Sequence, residues 1–166
     1  MSDSTTLFHA DHSNIVTSTE DLTVSTLSEG RALMRLQTGQ NGAYLNIVPR
    51  YLIVPVAMES TAEVLLSALA QPGQTNLGVP NVQWVRSLEL VVEPRLDAAD
   101  ADVCYLASSS MQADTYEVSY LEGERGLFFE EKPGFESDDL TTKARLTFSV
   151  APIDWRGLVK LDLNNP

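Results

Sequence analysis

The sequence predicts an α+β domain with a largely antiparallel sheet and two helices. Three observations predict it. Apolar residues recur at helical spacing in two segments, roughly 23–37 and 57–70. About six other segments alternate apolar and polar residues or run β-branched and apolar between turn residues. Helices and strands do not alternate in the order that a parallel βαβ sheet requires.

Residues 1–21 are rich in Ser, Thr, Asp and His and read as an extended lead-in to a domain over 22–166. Phe8-His9-Ala10-Asp11-His12 is its notable piece. A His-x-Asp-His pattern suggests a metal, but no second Cys/His cluster completes a coordination shell. The simpler expectation is that Phe8 docks while the histidines cap or hydrogen-bond. The first helix follows, with Val24, Leu27, Gly30 and Met34 on one face, Thr23 as N-cap and Gly39 just past its end. Gly30 inside a helix costs about 1 kcal/mol relative to alanine, which suggests that another backbone packs close there, with solvent exposure as the alternative.

Asn41-Gly42 marks a turn. Tyr51–Val54 then reads as a strand buried on both faces, punctuated by Pro49 and Pro55. The second helix carries the stripe Met58, Ala62, Leu65, Leu66 and Leu69, and Gln71-Pro72-Gly73 ends it. Glu59 and Glu63 share a face. They invite a reading as paired catalytic carboxylates, but the helix dipole accounts for acids near an N-terminus, and no partner base or nucleophile stands near them in sequence. Trp84–Val92 alternates as a strand that Pro94 stops. Asp97–Asp102 reads as a solvated acidic turn, since it lacks the central glycine and distal glutamate of a calcium loop.

Val103–Ala107 and Thr115–Leu121 are further strands, the latter with Tyr116, Val118 and Tyr120 on one side. Glu122–Gly126, Lys132-Pro133-Gly134 and Ser137–Asp139 are turns. Leu127–Phe129 is an apolar run suited to a core or to a neighbour. Lys143–Val150 alternates strictly, so Ala144, Leu146, Phe148 and Val150 are expected on one buried face, with Pro152 ending the strand. Next comes Asp154-Trp155-Arg156-Gly157. Such a cluster suits either a site or a corner where the chain turns and locks; the corner is the reading adopted. Arg50 and Glu59 join these four as structural or interface candidates.

Bulk properties narrow the function. The chain has 166 residues, 43% apolar and 20% charged, enough for a packed core. Its net charge of −12 opposes a nucleic-acid grip and adhesion to anionic lipid. The lone Cys104 has no partner for an internal disulfide, which fits a reducing setting. No signal peptide or membrane span is legible in the sequence. The sequence lacks a Gly-x-Ser-x-Gly elbow, a Walker loop, a dinucleotide fingerprint and a zinc-spaced cysteine pair. Neither an enzyme nor a cofactor is expected.

Six stretches together resemble tailed-phage major capsid proteins: Phe8–Asn14, Arg31–Gln37, Leu45–Pro55, Leu88–Leu96, Val118–Gly123 and Val150–Gly157. The nearest group is the Mu-like major head subunit family, including coat proteins fused behind a prohead protease. The resemblance implies a Hong Kong 97-type coat fold, with an axial domain and returning strands of the peripheral domain. It implies no catalytic residue and no cofactor in this part. It also implies a virion location, assembly in the host cytoplasm, and other copies of the coat protein as partners. Coat proteins of that fold carry an arm, an extended loop and a spine helix ahead of the matched region. The chain therefore resembles the C-terminal coat portion, with the N-terminal portion on another chain as a further candidate partner. Two other readings stand beside a structural capsid subunit: a prophage-encoded coat-like module that interferes with assembly, and a remnant of a protease–coat fusion.

Overall fold

The computed structural model describes residues 4–67, 83–123, 125–134 and 139–164. The fold is α+β, and the chain divides into two compact units. The first comprises residues 1–115 and 154–166; the second is Tyr116–Ile153.

The first unit is built on a five-stranded mixed sheet. Its strands are β1 (Ile15–Thr17), β2 (Pro49–Val54), β3 (Glu89–Val92), β4 (Val103–Ser108) and β9 (Leu158–Asp162), in spatial order β1-β9-β4-β2-β3. β4 pairs antiparallel with both neighbours, whereas β1 runs parallel to β9 and β3 parallel to β2. Leu52 lies opposite Leu106, Leu106 opposite Val159, and Cys104 opposite Leu161. Side chains on paired positions share a face, so these residues form one apolar sheet face. All of them are fully buried.

Helix α1 (Val24–Leu36) packs on that face. Thr23 caps it in a capping box with Thr26, as the sequence predicts. Leu27, Gly30 and Met34 are its buried stripe. A methyl group on Gly30 would stand 2.9 Å from both Leu106 Cδ1 and Leu161 Cδ2, so the glycine lets the helix sit low on the sheet. The helix ends before Gly39, with Gln37 as its C-cap. Gly39 instead belongs to the following turn, where its N–H donates to the Ala43 carbonyl and Gly42 takes the positive φ.

Four sequence expectations need correction. First, β2, helix α2 (Glu59–Leu66) and the parallel strand β3 form one β-α-β succession that the sequence reading did not expect. A short 3-10 turn, Val56–Met58, opens α2, and Leu69 and the 71–73 turn lie outside the described residues. Second, 84–92 is not one strand. Val85–Ser87 is a 3-10 turn, Val85 and Leu88 are buried three residues apart, and only Glu89–Val92 is paired as a strand. Third, the first half of the acidic stretch, Asp97–Ala99, completes a helix, α3 (Pro94–Ala99), and only its second half follows as a turn. Pro94 sits in its first turn and the Glu93 carboxylate accepts from the Arg95 N–H. Proline is at home there because a first-turn N–H has no intrahelical partner.

The fourth correction concerns 143–150. The extended run breaks at Leu146-Thr147, giving two strands in the second unit. There, β5 (Tyr116–Tyr120) pairs antiparallel with β8 (Phe148–Pro152), and β6 (Phe128–Pro133) pairs with β7 (Leu140–Arg145). The chain thus runs out along β5 and β6 and returns along β7 and β8, with positive φ at Gly123 and Gly126 in the connection between β5 and β6. A two-stranded ribbon has no second layer of its own. Leu146, Phe148 and Val150 are accordingly about half exposed, against the expectation of a buried face.

Candidate functional site

Residues 154–157 form a compact turn leading into β9. The Arg156 N–H donates to Asp154 Oδ1 at 2.9 Å, and the Arg156 guanidinium closes an ion pair with the same carboxylate at 3.1 Å. Arg156 Nε donates to the Thr38 carbonyl at 2.8 Å, tying the turn to the end of α1. The guanidinium also lies 4.5 Å from the Trp155 ring centre, within cation–π range. The indole stacks on His12, with ring centres 4.1 Å apart and planes 8° apart. Trp155 is half-buried and Gly157 buried. Gly157 is needed for space and not for a positive φ: a Cβ there would stand 2.6 Å from Thr115 Cγ2 and 2.7 Å from Ser108 Oγ.

His12 is buried at 5% exposure. Its Nδ1 lies 3.1 Å from the Leu7 carbonyl oxygen, which only accepts, so the hydrogen sits on Nδ1. Two buried polar residues that the sequence reading passed over hold this segment. Asn14 donates from Nδ2 to the Leu7 carbonyl at 2.9 Å and accepts from the His9 N–H. Gln37 donates from Nε2 to the His12 carbonyl at 2.9 Å. Phe8 lies 5.3 Å from the Tyr105 ring, and His9 accepts from the Asp11 N–H, matching the docking and capping roles expected of them. The chain before β1 is thus bonded into the sheet unit through polar side chains, which carry no periodicity for a sequence reading to detect.

The other candidates lie apart. Arg50 occupies the register shift between Pro49 and Tyr51, reaches Glu89 at 3.8 Å, and stands 5.6 Å from the Tyr51 ring. Glu59 is the first residue of α2. Neither shares a hydrogen bond or ion pair with the 154–157 turn among the described residues. Asp97, from α3, accepts the Val56 and Ala57 N–H groups at 2.7 and 3.0 Å and so fastens the start of the 3-10 turn before α2. Among the described residues, no group of three or more His, Cys, Asp or Glu is placed to hold a metal ion. Among them, too, no helix is long and apolar enough to cross a membrane.

The second unit carries a surface of a different kind. By strand alternation, Tyr116, Val118 and Tyr120 of β5 share one face with Pro152, Val150 and Phe148 of β8. Glu117, Ser119, Ser149 and Ala151 occupy the opposite face. The apolar face is open: Phe148 is 55% exposed, Val150 52%, Val118 50% and Tyr120 46%. With Arg125, Leu127 and Leu146 it lines a groove of about 610 Å³. Six apolar residues thus share one exposed ribbon face.

Over residues 1–161 the chain matches the family described as phage capsid protein, and it belongs to that family. It is a structural protein of the phage head, located in the virion capsid, and it assembles with other coat subunits. No curated protein matches the chain.

Proposed function

We propose that the chain is a subunit, or the C-terminal domain, of a bacteriophage or prophage major capsid protein that forms lateral contacts within the capsomers of an icosahedral head. In this reading the coat is of the Hong Kong 97 type and Mu-like, and 22–166 is an axial domain with returning peripheral strands. The observation that carries it is the open apolar face of β5 and β8, which has no partner layer among the described residues of its own unit. A two-stranded ribbon is marginal alone and gains stability when its apolar face is covered. The 154–157 turn, with Arg156 bound to Asp154 and to the Thr38 carbonyl, acts as the fixed corner from which the chain re-enters the sheet. The net charge of −12 favours protein partners over packaged DNA and over anionic membranes.

The test is incorporation. Tagged wild-type chain and the variant Phe148→Glu are produced during phage growth, and heads are purified on a gradient. Wild-type chain is expected in the head fraction and the variant at the top of the gradient. Incorporation of the variant at the wild-type level would sink the proposal that this face is an assembly contact.

A further inference from the structure

We propose that Asn41 is a self-modification site: its side-chain amide is lost through a cyclic imide formed with Gly42, and the turn that carries it loosens as the particle ages.

Sequence and exposure select the residue. Asn41-Gly42 is the sole Asn-Gly pair in the chain. Both residues are exposed, in the turn between α1 and β2. A Cβ at Gly42 would meet nothing within 4 Å, and the glycine has a φ of +76°. Its backbone nitrogen is unshielded and its dihedrals are free to change. Asn41 Oδ1 accepts from the Ala43 N–H at 3.4 Å, which polarises the side-chain carbonyl and turns it toward the chain that follows. Asn46 is the contrast. It too is exposed, with a φ of 50°, but the buried, β-branched Ile47 follows it and crowds the attacking nitrogen. Asn14 is fully buried, with both ends of its amide bonded.

The chemistry needs only water. The Gly42 nitrogen attacks Asn41 Cγ, and the new N–C bond closes a cyclic imide. The Cγ–Nδ2 bond breaks, and the amide leaves as ammonia with the proton that Gly42 gave up. Water then opens the imide. Addition at Cγ gives aspartate on the original backbone. Addition at the main-chain carbonyl carbon breaks its bond to the Gly42 nitrogen and gives isoaspartate, whose backbone runs through Cγ. Either product adds one negative charge to the −12 of the chain. The Gly42 N–H donates to the Gly39 carbonyl at 3.0 Å, so the turn must fray before that proton can leave. The reaction is slow for that reason. A coat subunit is not replaced within its shell, so the product accumulates.

The position couples the reaction to the 154–157 turn. The Gly39 N–H donates to the Ala43 carbonyl at 2.8 Å, the Leu45 N–H to the Gln37 carbonyl at 2.9 Å, and Thr38 bridges to Tyr44. The Thr38 carbonyl in turn receives Arg156 Nε. Isoaspartate lengthens the main chain between Gly39 and Ala43, so these bonds lose their register and the Arg156 anchor loosens. The aspartate product keeps the backbone and the anchor.

The test ages the folded full chain at mildly alkaline pH and follows each asparagine by peptide mass spectrometry, with an isoaspartate-specific methyltransferase to count that product. Conversion at Asn41 should exceed that at Asn46 roughly ten-fold, because Ile47 is β-branched. Gly42→Ala should suppress it. Since Gly42→Ala puts a side chain at positive φ, Asn41→Gln, whose longer side chain closes the ring poorly, serves as a second block, and circular dichroism checks both folds. Equal conversion at Asn41 and Asn46, or an unchanged Asn41 in folded chain while urea-unfolded chain converts, would overturn the site. In thermal melts the isoaspartate fraction should melt below wild type, whereas Asn41→Asp should melt with it; coincident melts of all three would overturn the coupling to Thr38. Stored heads should carry more isoaspartate than fresh ones, and equal amounts would overturn accumulation with age.

Discussion

His12 and Trp155 stack face to face, 4.1 Å between ring centres, although 143 positions separate them in the chain. The contact fastens the segment before β1 to the turn that opens β9, and it adds a side-chain tie to the parallel β1–β9 pairing. Trp155→Ala removes this stack and the platform under Arg156. Because the indole is half-buried, the expected loss is about 2–3 kcal/mol, below the 3–5 kcal/mol of a fully buried tryptophan. Denaturant unfolding of the two proteins measures it. A Trp155→Ala variant as stable as wild type would show that the stack is incidental.

Gly157 makes a sharper case. An alanine methyl there collides with Thr115 and Ser108, neither of which has a long flexible end to swing aside. Gly157→Ala should destabilise by about 1–3 kcal/mol, the usual cost of overpacking. Gly30→Ala presses only on the tips of Leu106 and Leu161, and it gains helix propensity, so it should cost less than Gly157→Ala. Thermal melts of both variants rank them; the reverse order would contradict the packing described for the two sites.

Cys104 supplies a pH prediction. Burial pushes its thiol up to about 12, from an ordinary value of 9.0. The charged form is disfavoured in the folded state, so the unfolded chain loses this proton first as pH rises. The contribution is fully present below about pH 9 and is lost progressively between about 9 and 12. Cys104→Ala should therefore flatten the fall in stability across that window. The native thiol should also react with a disulfide reagent only at the rate of unfolding. Rapid labelling of folded protein would show the strand to be open.

What the sequence made legible was set by how local each cause is. Thr23 capping α1, the strand Tyr51–Val54 and the end at Pro152 follow from side chains acting on their own backbone, and all three stand in the structure. The place of Leu158–Asp162 was not legible. A short apolar run at the end of a chain says nothing of inserting between β1 and β4, because that depends on partners more than fifty residues away. The face 144–150 misled for a related reason. Alternation reports which residues want cover, and not whether that cover comes from the same unit. Of the candidate site, the Asp154–Arg156 pair is visible in the spacing, but the stacking of His12 and the ties from Asn14 and Gln37 need the tertiary fold.

The acidity of the chain gives a prediction for solution behaviour. Raising salt shortens the reach of repulsion between copies carrying −12 each, so association should strengthen from low to moderate ionic strength. Light scattering across a salt series reads this directly. Oligomers that dissociate as salt rises would mean that ion pairs, and not the apolar ribbon, hold copies together. In a gel shift at low salt the chain should leave duplex DNA unretarded; retardation there would contradict the repulsive surface.

The architecture of the head tests the assembly role of the ribbon most directly. Cryo-electron microscopy of purified heads, at a resolution that traces the backbone, should find the sheet order β1-β9-β4-β2-β3 repeated throughout the shell, with the Val118–Phe148 face of each ribbon covered by another coat subunit. A shell traced without this sheet, or one in which that face stays open to solvent, would contradict it.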